Sequence, residues 1–405
     1  MHRNLFQSLV RHLDKREFAI ITGARQTGKS TLMRQLEAHC KAEQIPSLFF
    51  NLENKALLAD FDHSPLSVLP YLPDTDKRMV IFVDEVQYLH DPSNFLKLLY
   101  DEYVDKIKIV ATGSSAFYLD NSFRDSLAGR KKIFRLPTCS FDEYLALRER
   151  QDLLDDIRRI QSDNTAKSLY INVLQQEWAT YMIYGGYPAI ITENDRKEKS
   201  ERLAEIRDSF VKRDILEAGV KNEKAFYQLF RILASQSGSL FNVNELSLSL
   251  KIKNDTVNHY LNVLQKCFLI NSVHPFYRNL RKELTKMPKI YLSDTGLLNS
   301  LLNNFQPPDI RADKGVIWET VCYKTLCDRY GSDEVLFWRT SDGNEVDLVL
   351  PNIENPFAVE VKYDEARIKA GKYKKFIENY PDIPLSYNYL VPFTEDFFRR
   401  NKILQ

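Results

Sequence analysis

The sequence predicts an α/β protein that carries a parallel sheet at its N-terminal end, a helical middle and a smaller α/β domain at its C-terminal end. Two apolar runs, residues 18–21 and 79–83, each lead into a segment rich in glycine or acids. Such continuous runs are typical of parallel strands buried on both faces. Between residues 335 and 362 there are three shorter strand-like segments. The first two flank the turn at 341–344, which indicates a hairpin.

The loop after the first apolar run fits the phosphate-binding pattern G-x-x-x-x-G-K-[ST], known as Walker A. Its residues are Gly23, Ala24, Arg25, Gln26, Thr27, Gly28, Lys29 and Ser30, with Thr31 next in the chain. In this pattern backbone N–H groups surround the phosphates, the lysine reaches the β- and γ-phosphates, and the hydroxyl binds Mg²⁺. A helical segment at 31–36 would turn its positive end toward the anion. We therefore predict that these nine residues bind ATP, with Lys29 catalytic and Ser30 a Mg²⁺ ligand.

The second apolar run ends on Asp84 and Glu85, as a Walker B strand does. In open α/β sheets, ligands bind at the carboxyl ends of such strands. We expect Asp84 to hold Mg²⁺ and Glu85 to orient or deprotonate the attacking water. Two solvated acids at the end of a strand are the alternative, which an intact Walker A loop in the same chain makes less attractive.

Two further catalytic candidates lie between the Walker B strand and residue 136. A third apolar strand at 107–111 ends on small hydroxyl residues, and Ser114 or Ser115 fits a sensor of the γ-phosphate, although serine suits a helix N-cap equally well. Arg130, just before a further strand at 132–136, is a candidate arginine finger. Because such an arginine usually acts across a subunit interface, it would imply a homo-oligomer. A lone arginine is more often structural.

These motifs resemble those of a known group. The stretches G-A-R-Q-T-G-K-S-T, V-D-E-V-Q, T-G-S-S and L-A-G-R look like those of predicted prokaryotic AAA+-type ATPases that carry a C-terminal domain of nuclease-like fold. Residues 184–188, 212–215 and 294–297 also look like signatures of this group, so the resemblance spans nearly the whole chain. It implies ATP binding but no pathway. The chain departs from the group at 137–141, which is P-T-C-S-F where Pro-Leu-Ser-Phe is usual.

The middle of the chain is predicted to be helical. Residues 141–218 have helical spacing and suit a lid over the nucleotide. Three helix-length segments at 226–268 precede an apolar strand, which resembles a winged-helix domain. The basic residues assigned to its wing are Arg278, Arg281, Lys282, Lys286 and Lys289. Contact with DNA and packing against protein both remain open, because such small folds serve either purpose.

The C-terminal third combines carboxylates with a lysine. Side chains alternate along a strand, so Glu360 and Lys362 share one face. Together with Asp347 they resemble the PD-(D/E)XK nuclease core, in which Asp347 and Glu360 would bind Mg²⁺ and Lys362 would position the attacking water. Glu319 lies on the apolar face of a predicted helix and joins this set, because a buried acid needs a partner or a metal. Ordinary half-buried strand residues are the alternative.

Composition sets the remaining limits. The 405 residues carry a formal charge of +1, so any DNA site must be local rather than a global basic surface. The five cysteines have no C-x-x-C spacing, which suits reduced thiols. No signal peptide and no apolar run of about 18 residues is evident, so we expect a cytoplasmic protein without a membrane partner.

Together these observations predict four domains: 1–150 for the ATPase, 151–218 for the helical lid, 219–278 for the winged-helix-like domain and 279–405 for the nuclease-like domain. The predicted function is that of an ATPase acting on DNA, with ATP and Mg²⁺ as cofactors. Branched and single-stranded DNA are the candidate forms, and nuclease activity is left open. The alternative is an ATP-controlled switch that docks to a protein partner and carries an inactive nuclease-like domain.

Overall fold

The computed structural model describes residues 3–73, 76–113, 127–217, 219–277 and 286–401, and between 211 and 217 it describes the backbone alone. The chain forms two compact units. The first contains residues 1–137 with 266–268, and the second contains 138–265 with 269–405. The first division therefore falls at residue 137, thirteen residues before the predicted end of the ATPase domain; the four-domain scheme itself stays a prediction.

The first unit is built around a five-stranded sheet in which every neighbouring pair is parallel and the order is β2-β3-β4-β1-β5. Its elements are α1 (Leu5–His12), β1 (Phe18–Thr22), α2 (Lys29–Ala42), β2 (Ser47–Asn51), α3 (Lys55–His63), β3 (Met79–Asp84), α4 (Pro92–Tyr103), β4 (Ile107–Gly113) and β5 (Lys131–Arg135). Strands β1, β3 and β4 are buried along their whole length. Their apolar runs thus form the centre of the sheet, as the sequence predicts.

A small polar cluster lies inside this first unit. The Lys108 side chain is fully buried, and its Nζ lies 3.1 Å from His12 Nδ1 and donates to the carbonyl of Lys15 at 3.0 Å. The His12 ring packs edge-on against Phe134. Burial, followed by the charge of Lys108, lowers the pKa of His12 to about 4. Burial likewise lowers the pKa of Lys108 to about 7.

We expect this cluster to make the protein less stable in acid. The unfolded chain binds a proton at His12 near pH 6.5, whereas the folded chain does so only near pH 4. Between these values the unfolded state holds more protons, so the free energy of unfolding falls as the pH falls, by at most about 1.4 kcal/mol per pH unit from this group. The free energy of unfolding of wild type and of His12→Leu is measured by urea denaturation at several pH values between 7 and 4. His12→Leu should flatten the slope; an unchanged slope would contradict the assignment. His63→Leu at an exposed histidine is the control.

The second unit contains a helical part, a small three-stranded antiparallel sheet of order β6-β8-β7 and a four-stranded sheet of order β12-β11-β10-β9. Its helices are α5 (Phe141–Leu147), α6 (Gln151–Ser162), α7 (Ile171–Tyr184), α8 (Pro188–Ile191), α9 (Arg196–Glu217), α10 (Glu223–Ser235), α11 (Val243–Leu250), α12 (Asn254–Lys266), α13 (Thr295–Leu302), α14 (Lys314–Tyr330), α15 (Lys374–Asn379) and α16 (Glu395–Arg400). Its strands are β6 (Ser239–Leu240), β7 (Ile270–Val273), β8 (Lys289–Leu292), β9 (Leu336–Arg339), β10 (Glu345–Leu350), β11 (Phe357–Asp364) and β12 (Leu385–Val391).

Helix α5 begins at a reciprocal capping box that Ser140 and Glu143 form. The hairpin predicted for this unit is confirmed. Strands β9 and β10 are an antiparallel hairpin, and β11 pairs antiparallel with β10. Strand β12 then adds parallel to β11. The three predicted helices correspond to α10, α11 and α12, and the predicted strand after them corresponds to β7. The winged-helix interpretation of this segment stays a prediction.

Two of the glycine-containing signatures pack against each other. Asp294 caps α13 by accepting the Leu297 N–H at 3.1 Å, and its second oxygen accepts the Gly186 N–H at 2.8 Å. A Cβ on Gly296 would lie 2.1 Å from the carbonyl oxygen of Tyr184, the last residue of α7. The signatures at 184–188 and 294–297 are therefore two sides of one tight helix contact. The third signature, at 212–215, lies where side chains are not described.

Candidate functional site

The Walker A loop runs directly from β1 into α2. Gly28 has a left-handed φ of 91°, which glycine adopts without strain, and Lys29 is the first residue of the helix. The Lys29 side chain is buried, and its Nζ donates to the carbonyls of Gly23 at 3.0 Å and Ala24 at 2.8 Å. Thr27 Oγ1 donates to the Ala24 carbonyl at 2.9 Å. The ammonium is thus held at the loop by the loop's own carbonyls.

The rest of the predicted nucleotide set surrounds this loop. Arg25 is half-buried and Gln26 is exposed with a left-handed φ of 60°. Ser30 and Thr31 are exposed in the first turn of α2. The helix therefore presents hydroxyl groups next to its N-terminal N–H groups, which is an arrangement that suits an anion with a bound cation.

A buried arginine that the sequence did not single out braces the same loop. Arg3 is 1% exposed, and its Nη1 donates to the Thr27 carbonyl at 2.7 Å. Its Nη2 donates to the carbonyl of Pro137 at 2.6 Å. One guanidinium thus joins the phosphate-binding loop to Pro137, the end of the long N-terminal segment of the first unit. No motif marks Arg3, because both of its partners are distant in sequence.

The two Walker B acids are positioned by a threonine from the neighbouring strand. Asp84 is the last residue of β3 and is buried. The fully buried Thr112 of β4 donates its Oγ1 hydrogen to Asp84 Oδ1 at 2.5 Å and accepts the N–H of Glu85 at 2.9 Å. Glu85 has a left-handed φ of 61°, and its Oε2 accepts a hydrogen bond from Gln87 Nε2. Both the backbone and the carboxylate of Glu85 are therefore fixed.

The sheet order brings these groups to one edge. Strand β4 lies between β3 and β1, and the pairs Thr22–Gly113 and Val83–Ala111 place the carboxyl ends of the three strands side by side. The loop after β1 and the acids after β3 therefore border the end of β4. The hydroxyl and carboxylate oxygens of Ser30 and Asp84 are donors that Mg²⁺ prefers, so this chemistry fits the ion.

The two other catalytic candidates are placed differently. Ser114 and Ser115 lie outside the described residues, so their predicted sensor role stays a prediction. Arg130 forms a two-point contact with Asp101 of α4, with Nε to Oδ1 at 2.6 Å and Nη2 to Oδ2 at 3.3 Å. About a third of the Arg130 side chain remains exposed. To serve as an arginine finger, it would have to exchange this partner for a phosphate.

In the second unit, three of the four predicted nuclease residues contact one another. Lys362 Nζ pairs with Glu360 Oε1 and lies 3.3 Å from Asp347 Oδ2. The same Asp347 oxygen accepts the Val361 N–H at 2.9 Å. Tyr373 donates its hydroxyl hydrogen to Glu360 Oε1 at 2.6 Å. The predicted shared face of Glu360 and Lys362 on β11 is thus confirmed.

The fourth residue, Glu319 of α14, meets a different set of partners. Lys289 Nζ lies 3.3 Å from Glu319 Oε1, 2.7 Å from Glu345 Oε1 and 3.6 Å from Asp347 Oδ1. Tyr291 donates to Glu319 Oε1 at 2.6 Å. Lys289 is one of the basic residues assigned to the wing, but its side chain is only 2% exposed on β8 and faces the protein interior. Its strand alternation with Tyr291 puts both side chains on the face toward Glu319.

The charges of this cluster follow from its burial. Burial raises the pKa of Glu319, and burial followed by the Asp347 charge raises the pKa of Glu360. Burial alone would lower the pKa of Lys289, but the carboxylates of Glu319, Asp347 and Glu345 outweigh it, so that pKa is raised. The Lys289 ammonium is therefore charged at neutral pH.

The acidic set does not fit a divalent metal. Among the residues that the structure describes, no group of three or more His, Cys, Asp or Glu side chains is arranged to hold a metal ion. At the C-terminal carboxylates the reason is visible, because the Lys289 ammonium lies where three of them converge. Asp347 pairs with Lys289 as well as with Lys362, the lysine predicted beside it, whereas Glu360 pairs with Lys362.

Comparisons with known proteins divide the chain into three segments. Residues 15–145 match the family model of an AAA domain (AAA_14). Residues 175–307 match a domain of unknown function (DUF8612), and residues 314–405 match another (DUF4143). The parallel sheet, the phosphate-binding loop and the first of these matches define the N-terminal part as an AAA-type P-loop ATPase fold.

Sequence matches to proteins of other organisms cover most of the chain. An uncharacterised protein of Mycobacterium tuberculosis is 25% identical over 366 residues, which are 89% of this chain and 73% of the relative. Another from Methanocaldococcus jannaschii is 26% identical over 334 residues, which are 78% of this chain and 67% of the relative. The solved structure of the Aeropyrum pernix ORC2 protein in its ADP form has a TM-score of 0.36 and 14% identity, and the match covers 75% of this chain and 92% of that chain. A TM-score below 0.5 defines no function for this chain.

The length and the apolar character of the helices bear on whether the chain could span a membrane. In the ranges that are described, none of the helices combines the length and the apolar character needed to cross a bilayer.

Proposed function

We propose that this protein is an ATPase whose N-terminal unit binds and hydrolyses ATP with Mg²⁺. The observation that carries the proposal is the Thr112 hydroxyl, which joins the Asp84 carboxylate to the Glu85 backbone beside a complete Walker A loop. A structural pair of acids would need no such fixed orientation toward the carboxyl edge of the sheet. This preorganisation is what a phosphoryl-transfer site requires, because positioning and electrostatics supply most of the catalysis.

Each residue has a distinct proposed role. The N–H groups of the loop and the Lys29 ammonium would bind the phosphates, while Ser30 and Asp84 would hold Mg²⁺. The ion, when bound, neutralises charge that builds on the phosphate oxygens. Glu85 would orient a water molecule and accept its proton. Ser114 would sense the γ-phosphate, and Arg130, released from Asp101, would stabilise the transition state, in trans if the protein is a homo-oligomer.

Thr112 should be a positioning residue for this reaction. In Thr112→Val, the Asp84 carboxylate loses a donor and the Glu85 N–H loses its acceptor. A hydrogen bond to a charged group contributes about 1.5–3 kcal/mol, so we expect kcat to fall about 10- to 100-fold, with a smaller change in the KM for ATP. Thr112→Ser keeps the hydroxyl and should restore kcat. Equal losses in both variants, measured by steady-state ATP hydrolysis, would remove this role from the hydroxyl.

We further propose that the ATPase acts on DNA. The order of helices and strands from α10 to β8 supports a winged-helix arrangement, and Lys286 beside β8 is exposed to solvent. Three of the wing residues, Arg278, Arg281 and Lys282, lie outside the described residues. A local basic segment of this kind suits phosphate contacts in an otherwise nearly neutral protein.

A switch that docks to a protein partner is the second candidate. Two observations favour it: the formal charge is only +1, and the C-terminal carboxylates are occupied by Lys289 rather than open to a metal. In this case ATP binding would control a protein contact, and the second unit would be a binding scaffold. The binding of a protein partner would not weaken with salt as steeply as the binding of DNA does.

The rate of ATP hydrolysis distinguishes the two candidates. It should be measured without DNA and then with single-stranded, duplex and branched DNA at low salt, with Lys29→Ala as the variant that must be inactive. Stimulation by one DNA form that is lost as salt increases supports the DNA-acting ATPase. A rate that no DNA changes supports the protein-docking switch. No hydrolysis by wild type above that of Lys29→Ala under all conditions would refute the ATPase proposal itself.

A further inference from the structure

We propose that Lys289 is a built-in cation that takes the place of a divalent metal in the C-terminal acidic site, so that this site is closed to Mg²⁺ and does not cleave DNA. The inference concerns the second unit alone and is independent of ATP hydrolysis by the first. It decides between the two interpretations of the acidic residues that the sequence leaves open.

The first argument is the geometry of the ammonium. Lys289 Nζ contacts one oxygen each from Glu319, Glu345 and Asp347, at 3.3, 2.7 and 3.6 Å. A lysine ammonium has three N–H donors, and three carboxylates surround it. The acids come from α14 and β10, so the cation holds a helix and a strand together. A Mg²⁺ ion would need oxygens at about 2.0–2.1 Å around the same point.

The second argument is that Lys289 is fixed in place. It is 2% exposed and belongs to β8, the central strand of the small sheet, where it pairs with Val273 on one side and Leu240 on the other. Its Nζ also lies 5.4 Å from the centre of the Phe337 ring. A surface lysine could turn into solvent when a metal arrives, whereas this side chain is buried among its carboxylate partners.

The third argument is the balance of charge. Asp347 and Glu360 share a second cation, Lys362, and Glu345 also pairs with Arg339, whose Nη1 lies 2.6 Å from Glu345 Oε2. Four carboxylates are thus met by three basic side chains. A divalent ion added beside Lys289 would face a like charge at close range, which disfavours its binding. The cluster is nearly neutral without a metal.

One carboxylate oxygen nevertheless remains unsatisfied. Glu360 Oε2 is buried and has no hydrogen-bond partner among the described residues. This oxygen by itself does not make a Mg²⁺ site, because such a site uses several oxygens. The position of Lys289, rather than a shortage of acids, is therefore what closes the site.

The test is Mn²⁺ binding to the full, nucleotide-free chain, measured by isothermal titration and by the Mn²⁺ electron paramagnetic resonance signal. Wild type and Asp347→Asn should bind the same number of ions, because the cluster takes none. Lys289→Met should gain one ion that binds at least tenfold more tightly than any in wild type, and the double variant with Asp347→Asn should lose it. Lys286→Met, which removes an exposed lysine three residues away, should behave as wild type.

Two outcomes would overturn the proposal. One is an ion in wild type that Asp347→Asn abolishes, and the other is a folded Lys289→Met that gains no ion. If Lys289→Met fails to fold, the comparison of wild type with Asp347→Asn still decides. Cleavage of supercoiled DNA by wild type in Mg²⁺ without ATP, lost in Asp347→Asn, would also refute it. The ATP hydrolysis rate of the same samples reports separately on the first unit.

Discussion

Replacing Glu85 with glutamine is expected to reduce the rate of ATP hydrolysis about 100- to 10,000-fold while ATP binding persists. The size follows from the usual contribution of a positioned general base. Glutamine keeps the shape of the side chain but cannot accept the proton of the attacking water. The backbone of residue 85 should remain in place, because its N–H donates to Thr112 Oγ1 and this hydrogen bond does not involve the carboxylate.

The measurement combines single-turnover hydrolysis with equilibrium binding of a fluorescent ATP analogue. Glu102→Gln is the matched control, because Glu102 is an exposed glutamate on α4, away from the strand ends, and should leave both quantities unchanged. Turnover that persists in Glu85→Gln at more than a tenth of the wild-type rate would move the role of general base to another group. Loss of binding together with turnover would instead indicate that the substitution damages the site.

The second large effect concerns stability. In Gly296→Ala the new Cβ would lie 2.1 Å from the Tyr184 carbonyl oxygen, a backbone atom at the end of α7 that has little freedom to move. Overpacking of this kind typically costs about 1–3 kcal/mol, and the cost is greater where backbone must shift. We expect a loss of about 3 kcal/mol or more in the free energy of unfolding of the second unit, measured by urea denaturation.

Gly315→Ala provides a closely matched control. Gly296 and Gly315 are each the second residue of a helix, α13 and α14 respectively. A Cβ at Gly315 meets no atom within 4 Å, so alanine there should be neutral or stabilising by up to about 1 kcal/mol. Similar losses in both variants would show that helix backbone effects, rather than contact with Tyr184, determine the result.

The sequence predicts the first unit well because its signals are local. The Walker A loop, the apolar strand before Asp84 and the helix after Gly28 each depend on residues that are adjacent in the chain. Periodicity and turn chemistry act over the same short range. The partners of Arg3 and Thr112, in contrast, lie 24 to 134 and 27 to 28 residues away. Such contacts are a product of the fold and leave no pattern in the sequence.

The second unit shows more clearly which contacts the sequence does not predict. Strand alternation correctly predicts that Glu360 and Lys362 share a face, and that face does meet Asp347. The same alternation places Lys289 on one face with Tyr291, but its basic neighbours led to its assignment to a wing. Because charge alone does not distinguish a surface lysine from a buried one, only the packing of β8 against α14 reveals its role.

The brace made by Arg3 has a mechanical consequence. A guanidinium is a rigid plane, so the distance between its two Nη atoms cannot change. One of them holds the Thr27 carbonyl and the other holds that of Pro137. A single side chain therefore sets the distance between the phosphate-binding loop and the point where the chain leaves the first unit. A movement of Thr27 relative to Pro137 would strain or break one of these two hydrogen bonds.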